Sequence, residues 1–334
     1  MALRGYVDGL LSGLTWGVVA ILLPAADLLT GASLPASSVA VAAVFDAAAA
    51  AFLLVRSGVA GALADVVRVL ASRRTLAIGL CALLGGPLFM GGYVAAVMLA
   101  GPADALTATA TYPVLGALLA RPLLRQRLDR IGWLGVVATA AGATLIAADA
   151  DGVRSLIGIA VALVAAAAVA LEGIVATRAM VGVATNTVLA ARELVSAAMF
   201  GLIVLVVPGG VTAVGLVVND ADLLVPVVAA GVIGGYSYVV WYSSIRRIGV
   251  ARAMALNISY AMWGALFAWA LLLAPLDPLA VAGCVVVTAG AVLTILPGRP
   301  VRGRARPGPP ASGVLLRGLL PRRLVVGGDL HHRR

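Results

Sequence analysis

Residues 103–129, "ADALTATATYPVLGALLARPLLRQRLD", align without a gap on residues 251–277, "ARAMALNISYAMWGALFAWALLLAPLD". The offset of 148 pairs Tyr112 with Tyr260, Gly116 with Gly264 and Asp129 with Asp277. It continues into the next apolar segment, where Gly135 meets Gly283 and Gly142 meets Gly290. Over residues 103–145, 17 positions are identical. An Ala- and Leu-rich background inflates such a count, but the matched Tyr, Gly and Asp positions are harder to obtain from composition. The chain therefore reads as an internal repeat.

The medium around the repeat follows from composition. Hydrophobic residues make up 62% of the chain and charged residues 11%, and the mean hydropathy is +1.09. A soluble domain of this length cannot hide so much apolar surface. Runs of about 20 apolar residues, enough to cross about 30 Å of hydrocarbon, recur from end to end. Ten spans are expected, at 6–26, 34–55, 75–99, 104–124, 130–149, 155–177, 185–207, 223–244, 251–274 and 278–296. The fold class is thus an all-α polytopic membrane protein. Five spans per repeat is an odd number, so the second copy enters the membrane in the opposite direction, giving two inverted repeats over 1–149 and 150–297. Such halves are a transporter architecture, with a site at mid-depth between them. Residues 298–334, with nine arginines among many Pro and Gly, read as a disordered basic tail.

The formal net charge of +10 comes from arginine alone among the basic residues. It is spread by topology and forms no nucleic-acid patch. With the N-terminus inside, thirteen arginines fall on the cytoplasmic side, while the opposite loops keep only Arg154 beside seven aspartates. Both termini are then cytoplasmic, the membrane is expected to be a bacterial inner membrane, and anionic lipid headgroups are the expected partners of the arginines. The first span carries Gly5, Gly9, Gly13 and Gly17 on one face, open to another helix or a ligand. A cleaved signal peptide is the alternative for it, but its apolar part exceeds the usual length of about 7 to 15 residues. Cys81 and Cys284 have no metal-binding spacing and both histidines lie in the tail, so no metal and no cofactor is expected.

At this point the chain resembles the EamA-type members of the drug/metabolite transporter superfamily, over residues 6–296. The stretch "TYPVLGALLARPLLRQRLDRIGWLGVVATAAGATLI" carries the likeness, with Pro113, the turn Gln126-Arg127-Leu128, and Gly135 and Gly142. Departures are Gln126 and Ala274 where the family has an acidic turn residue, and Ala261 where Pro113 would repeat. The resemblance implies an exporter of a small organic metabolite.

Inside the spans, the charges single themselves out. Arg192 and Glu193 lie in "TVLAARELVSAAMFGL", residues 187–202. Arg192 is expected about 10 Å deep and Asp46 about 13 Å, on corresponding helices of the two repeats. Neighbours on one helix point about 100° apart, so Asp46 is the expected partner of Arg192 in a structural or coupling pair. Glu193 is left on another face, to bind a substrate amine or carry a proton, since buried charge is costly and tends to be functional. Glu172 is expected to snorkel or pair with Arg178. Tyr112, Tyr260, Tyr236 and Tyr238 are candidates for an aromatic cavity, and Asn257 for a polar substrate contact. Trp241 and Tyr242 suit an interfacial belt. Pro113 is the expected hinge, because it removes a helix hydrogen bond. No Walker sequence points to ATP hydrolysis. The rival functions are a non-transporting scaffold and an intramembrane enzyme acting on lipid.

Overall fold

The computed structural model describes residues 2–23, 34–146, 155–272 and 278–296. The chain divides into Met1–Gly298 and Arg299–Arg334; the expected tail lies outside the described residues. So do Asp27, Asp149, Asp151, Arg154, Ala274 and Asp277. Every regular element among the described residues is helical, as apolar chain in hydrocarbon requires, since each backbone N–H and C=O must find its partner within the segment.

In chain order the helices are α1 (Ala2–Leu22), α2 (Leu34–Val59), α3 (Leu63–Leu70), α4 (Thr75–Leu83), a π-helical turn over Leu84–Gly91, α5 (Gly92–Thr109), α6 (Tyr112–Leu124) and α7 (Arg130–Ile146). The second half holds α8 (Leu156–Ala179), α9 (Thr185–Val206), α10 (Gly210–Asn219), α11 (Ala221–Ile248), α12 (Val250–Asn257), α13 (Tyr260–Leu272) and α14 (Pro278–Ile295). Eight helical stretches are long and apolar enough to cross a membrane. The count falls short of ten at two places. The fifth expected span is the shorter α7, and the fourth is no single helix but the end of α5 followed by α6. The surface segment expected between the second and third spans is α3, which buries Val66 and Val69 and leaves Asp65 and Arg68 exposed. Helix α10 had no counterpart in the sequence reading. It starts after Gly209, whose φ is 79°, and buries Ala213 and Val217 one turn apart.

Two pairs of backbone irregularities repeat at the offset of 148. Gly101 breaks α5 with φ 84° and ψ 161°, and Gly249 separates α11 from α12 with φ 86° and ψ 162°. Residues with a Cβ rarely adopt this conformation. A second break falls at Ala110–Thr111, between α5 and α6, and at Ile258–Ser259, between α12 and α13. Pro113 sits just after the first, in the opening turn of α6, where a missing N–H costs nothing. Ala261 holds the matching place after the second break, so Pro113 fits an interruption that forms without it. The expected kink beside Tyr112 is present, and its counterpart in the second half forms without a proline.

The two halves interlock. Helix α1 packs on α11, α12 and α13; α8 packs on the π-helical turn, α5 and α6; α2 meets α9, and α7 meets α14. The last contact is backbone on backbone. A Cβ on Gly135 would lie 2.8 Å from the Gly290 carbonyl, and one on Gly142 would lie 2.8 Å from that of Gly283. The glycine face of α1 likewise takes helices: Cβ atoms on Gly5, Gly9 and Gly17 would meet Ile248, Leu256 and Trp263.

Candidate functional site

Four buried charges converge where α2, α8, α9, α11 and the π-helical turn meet. Asp46, Glu172, Arg192 and Glu193 are all fully buried, as is Ser196. Arg192 donates from Nε to Glu172 Oε1 at 3.1 Å and from Nη1 to Glu193 Oε2. Tyr242 donates to the same Glu172 oxygen at 2.7 Å. Asp46 accepts from the Ser196 hydroxyl.

This differs from the expected pairing in three ways. The ion-pair partners of Arg192 are Glu172 and Glu193, whereas Asp46 is held by Ser196. A guanidinium on a long stem spans the angular gap to its neighbour, which a wheel of Cβ directions does not capture. Glu172 neither snorkels nor meets Arg178; Arg178 Nη2 instead donates to the Leu123 carbonyl at 2.9 Å. Tyr242 belongs to no interfacial belt, because it is wholly buried on Glu172.

The π-helical turn makes room for the charges. A Cβ on Gly85 would collide with the guanidinium of Arg192 and the carboxyl of Glu172, and one on Gly86 with the Ser196 hydroxyl. Two successive glycines thus bring bare backbone against the site, with Pro87 inside the turn. Such turns are frequent at functional positions. Three carboxyls face one guanidinium, and Asp46 Oδ1, Glu172 Oε2, Arg192 Nη2 and Glu193 Oε1 each remain buried without a hydrogen-bond partner. That leaves the cluster with unused capacity to bind protons or polar groups.

Aromatic rings wall one side. The Tyr238 ring lies 4.8 Å from the guanidinium carbon of Arg192, a cation–π contact. Trp16 of α1 touches Tyr238, Phe45 and Phe89 at centroid distances of 5.4, 6.1 and 6.4 Å. Tyr236 is only half-buried and, two residues from Tyr238, stands on the other side of α11.

Tyr112 and Tyr260 form a separate group at the helix breaks. The Tyr112 hydroxyl donates to Asn257 Oδ1 at 2.6 Å, and Asn257 Nδ2 donates to Ser12 Oγ at 3.0 Å. Tyr260 lies beside Thr109, whose hydroxyl donates to the Ala105 carbonyl at 2.8 Å. Since Thr109 and Asn257 are also 148 residues apart, each tyrosine reaches the residue that matches the other's partner. The four predicted tyrosines therefore do not line one cavity. Helix α1 connects the groups, with Ser12 at Asn257 and Trp16 at Tyr238.

The charge cluster is closed on all sides. A cavity of about 500 Å³ lined by Pro87, Leu88, Leu156 and Val161 is apolar and does not include it. Another of about 350 Å³ lies between the α6–α7 linker and the start of α12. Among the described residues no three His, Cys, Asp or Glu side chains converge as a metal site.

Residues 156–296 match the family model described as the EamA-like transporter family, part of the drug/metabolite transporter superfamily. The match covers less than half of the chain, and over that stretch the sequence is similar to the family. The matched stretch spans α8–α14 and supplies Glu172, Arg192, Glu193, Tyr238 and Tyr242 to the cluster. A protein of known crystal structure is similar at a TM-score of 0.67 over 88% of this chain and 96% of its own, at 20% identity. At that identity the likeness is one of fold, and it extends beyond the matched stretch into the first half. No curated protein matched the sequence.

Proposed function

We propose that this EamA-like protein is a secondary transporter that exports a small organic metabolite by alternating access. Its two halves are inverted five-helix repeats, with both termini cytoplasmic in a bacterial inner membrane. The repeat reading is supported by the paired breaks at Gly101 and Gly249 and by the reciprocal Tyr112–Asn257 and Tyr260–Thr109 contacts. It is supported too by packing in which α1 lies on α11 and α13 as its counterpart α8 lies on α5 and α6. Short α7 and the broken α5–α6 segment serve as the remaining two spans, and the closed cluster corresponds to the occluded state.

The observation that carries the reading is the cluster itself. Charges buried in a membrane are expensive and are kept where an ion or substrate path needs them. Here they are contributed by helices of both halves, so rocking of one half on the other opens them to either side. A guanidinium and three carboxyls beside Trp16, Phe89 and Tyr238 suit an amino acid or an amphipathic aromatic compound. Glu193 keeps an unpartnered oxygen and acts as the proton- or amine-binding group.

Proteoliposomes with an imposed pH gradient test this, using a panel of amino acids and aromatic amines as solutes. Glu193→Gln should fold, yet lose solute flux or its pH dependence, because an amide keeps the shape but cannot exchange the proton. Flux and pH profile equal to those of the unaltered protein would reject Glu193 as the working residue. Absence of any gradient-driven, competable flux would favour the scaffold.

A further inference from the structure

The cavity of about 350 Å³ at one end of the bundle lies away from the charge cluster. Its wall includes Gln126 and Arg127 of the α6–α7 linker and Gly249, Ala251 and Arg252 around the α11–α12 break. Two arginines face this space and no acidic residue lines it. The nearby Asp129 is turned to its own helix, where Oδ1 accepts from the Gly132 N–H at 3.1 Å. Arg252 is the more telling of the two arginines: its Nε is buried and has no hydrogen-bond partner.

A buried guanidinium N–H without an acceptor costs free energy unless a ligand supplies one. The backbone adds donors at the same place. Helix α12 opens at Val250, after Gly249, and first-turn N–H groups have no acceptor within their helix. The N–H of Val250 is taken by Gln126 Oε1 at 3.1 Å, and the next two residues of the first turn, Ala251 and Arg252, both line the cavity. Oriented N–H groups and the positive helix end both favour an anion.

We propose that this cavity binds a phosphate-bearing anion, held by Arg252 and Arg127 and by the α12 N-terminus. The phosphate can belong to an anionic lipid headgroup or to a soluble compound, as either presents the same oxygens to a guanidinium. Arg127 belongs to the first half and Arg252 to the second, so the bound anion reinforces the link that Gln126 already makes between the α6–α7 linker and α12.

The test follows thermal unfolding of the full chain in zwitterionic detergent. Sodium phosphate is titrated against sodium chloride at equal ionic strength, and short-chain phosphatidylglycerol against phosphatidylcholine. A saturable rise in Tm with phosphate, phosphatidylglycerol or both is expected. Arg252→Gln and Arg127→Gln should each raise the apparent Kd about tenfold or more, the loss of one charge-assisted contact, while Arg4→Gln leaves it unchanged. Saturation by the lipid alone assigns the site to a headgroup; saturation by inorganic phosphate assigns it to soluble phosphates as well. No saturable rise with either probe, or the unaltered Kd in both variants, would overturn the proposal. Exposed Arg127 keeps the test decisive should Arg252→Gln not fold.

Discussion

Replacing Arg192 by Gln removes the cation that pairs with two buried carboxyls. In the structure Glu172 and Glu193 each take one nitrogen of that guanidinium, and all three groups are fully buried. Breaking a buried pair by removing one partner costs about 3–5 kcal/mol, most of it from the charge left behind. Arg192→Gln should therefore lower the Tm strongly. Adding Glu172→Gln removes one of the stranded carboxylates and should recover part of the loss, with a coupling of about 1–3 kcal/mol in the double-mutant cycle. The same cycle with Asp46→Asn should give a smaller coupling, because Asp46 is bonded to Ser196 and is no direct partner of Arg192. Thermal unfolding in one detergent at one pH reads all six proteins. A coupling of Arg192 to Asp46 equal to or above that to Glu172 would refute the arrangement described here.

Two further substitutions probe the backbone. Gly85→Ala places a methyl group against Arg192 and Glu172 and should abolish transport and lower the Tm, whereas Gly79→Ala in α4, with nothing within 4 Å, should do neither. Gly142→Leu drives a side chain into the α14 backbone, where Val287 N would be 2.6 Å from the first carbon. It should cost at least the ~1–3 kcal/mol typical of overpacking, while Gly201→Leu, which meets open space, should leave the Tm unchanged.

Much of the architecture was open to reading because hydropathy and repetition act over many residues at once. The 148-residue offset aligned Tyr112 with Tyr260 and Gly135 with Gly283, and the structure places backbone breaks at the same offset. The wiring of the charges was not open to reading. Glu172 stands seven residues before Ala179 and Arg192 seven after Thr185, about 10 Å from those helix ends in both cases. Their equal depth was in the sequence, but Arg178 offered Glu172 a nearer partner and hid it. Gly85-Gly86 carried no signal, because a π-helical turn shifts which residues face inward and periodicity at 3.6 residues misplaces them. Tyr242 falls near the end of the expected span at 223–244, which suggested an interface, yet it is buried on Glu172. Pro113 marked the right place in the chain, whereas the matching break before Ala261 carried no such signal.

In an alternating-access transporter the buried charges open in turn to the two sides of the membrane. A single cysteine at Ser196, beside Asp46, reports this once Cys81 and Cys284 are replaced by Ala and Ser. Oriented vesicles are treated with a membrane-impermeant thiol reagent from outside or from inside, and the labelled fraction is measured over time. Alternating access predicts labelling from both sides, with rates that shift in opposite directions when a transported solute or a pH gradient is applied. A residue that stays unlabelled from either side in the folded protein, or that is labelled from one side only under every condition, would contradict the account.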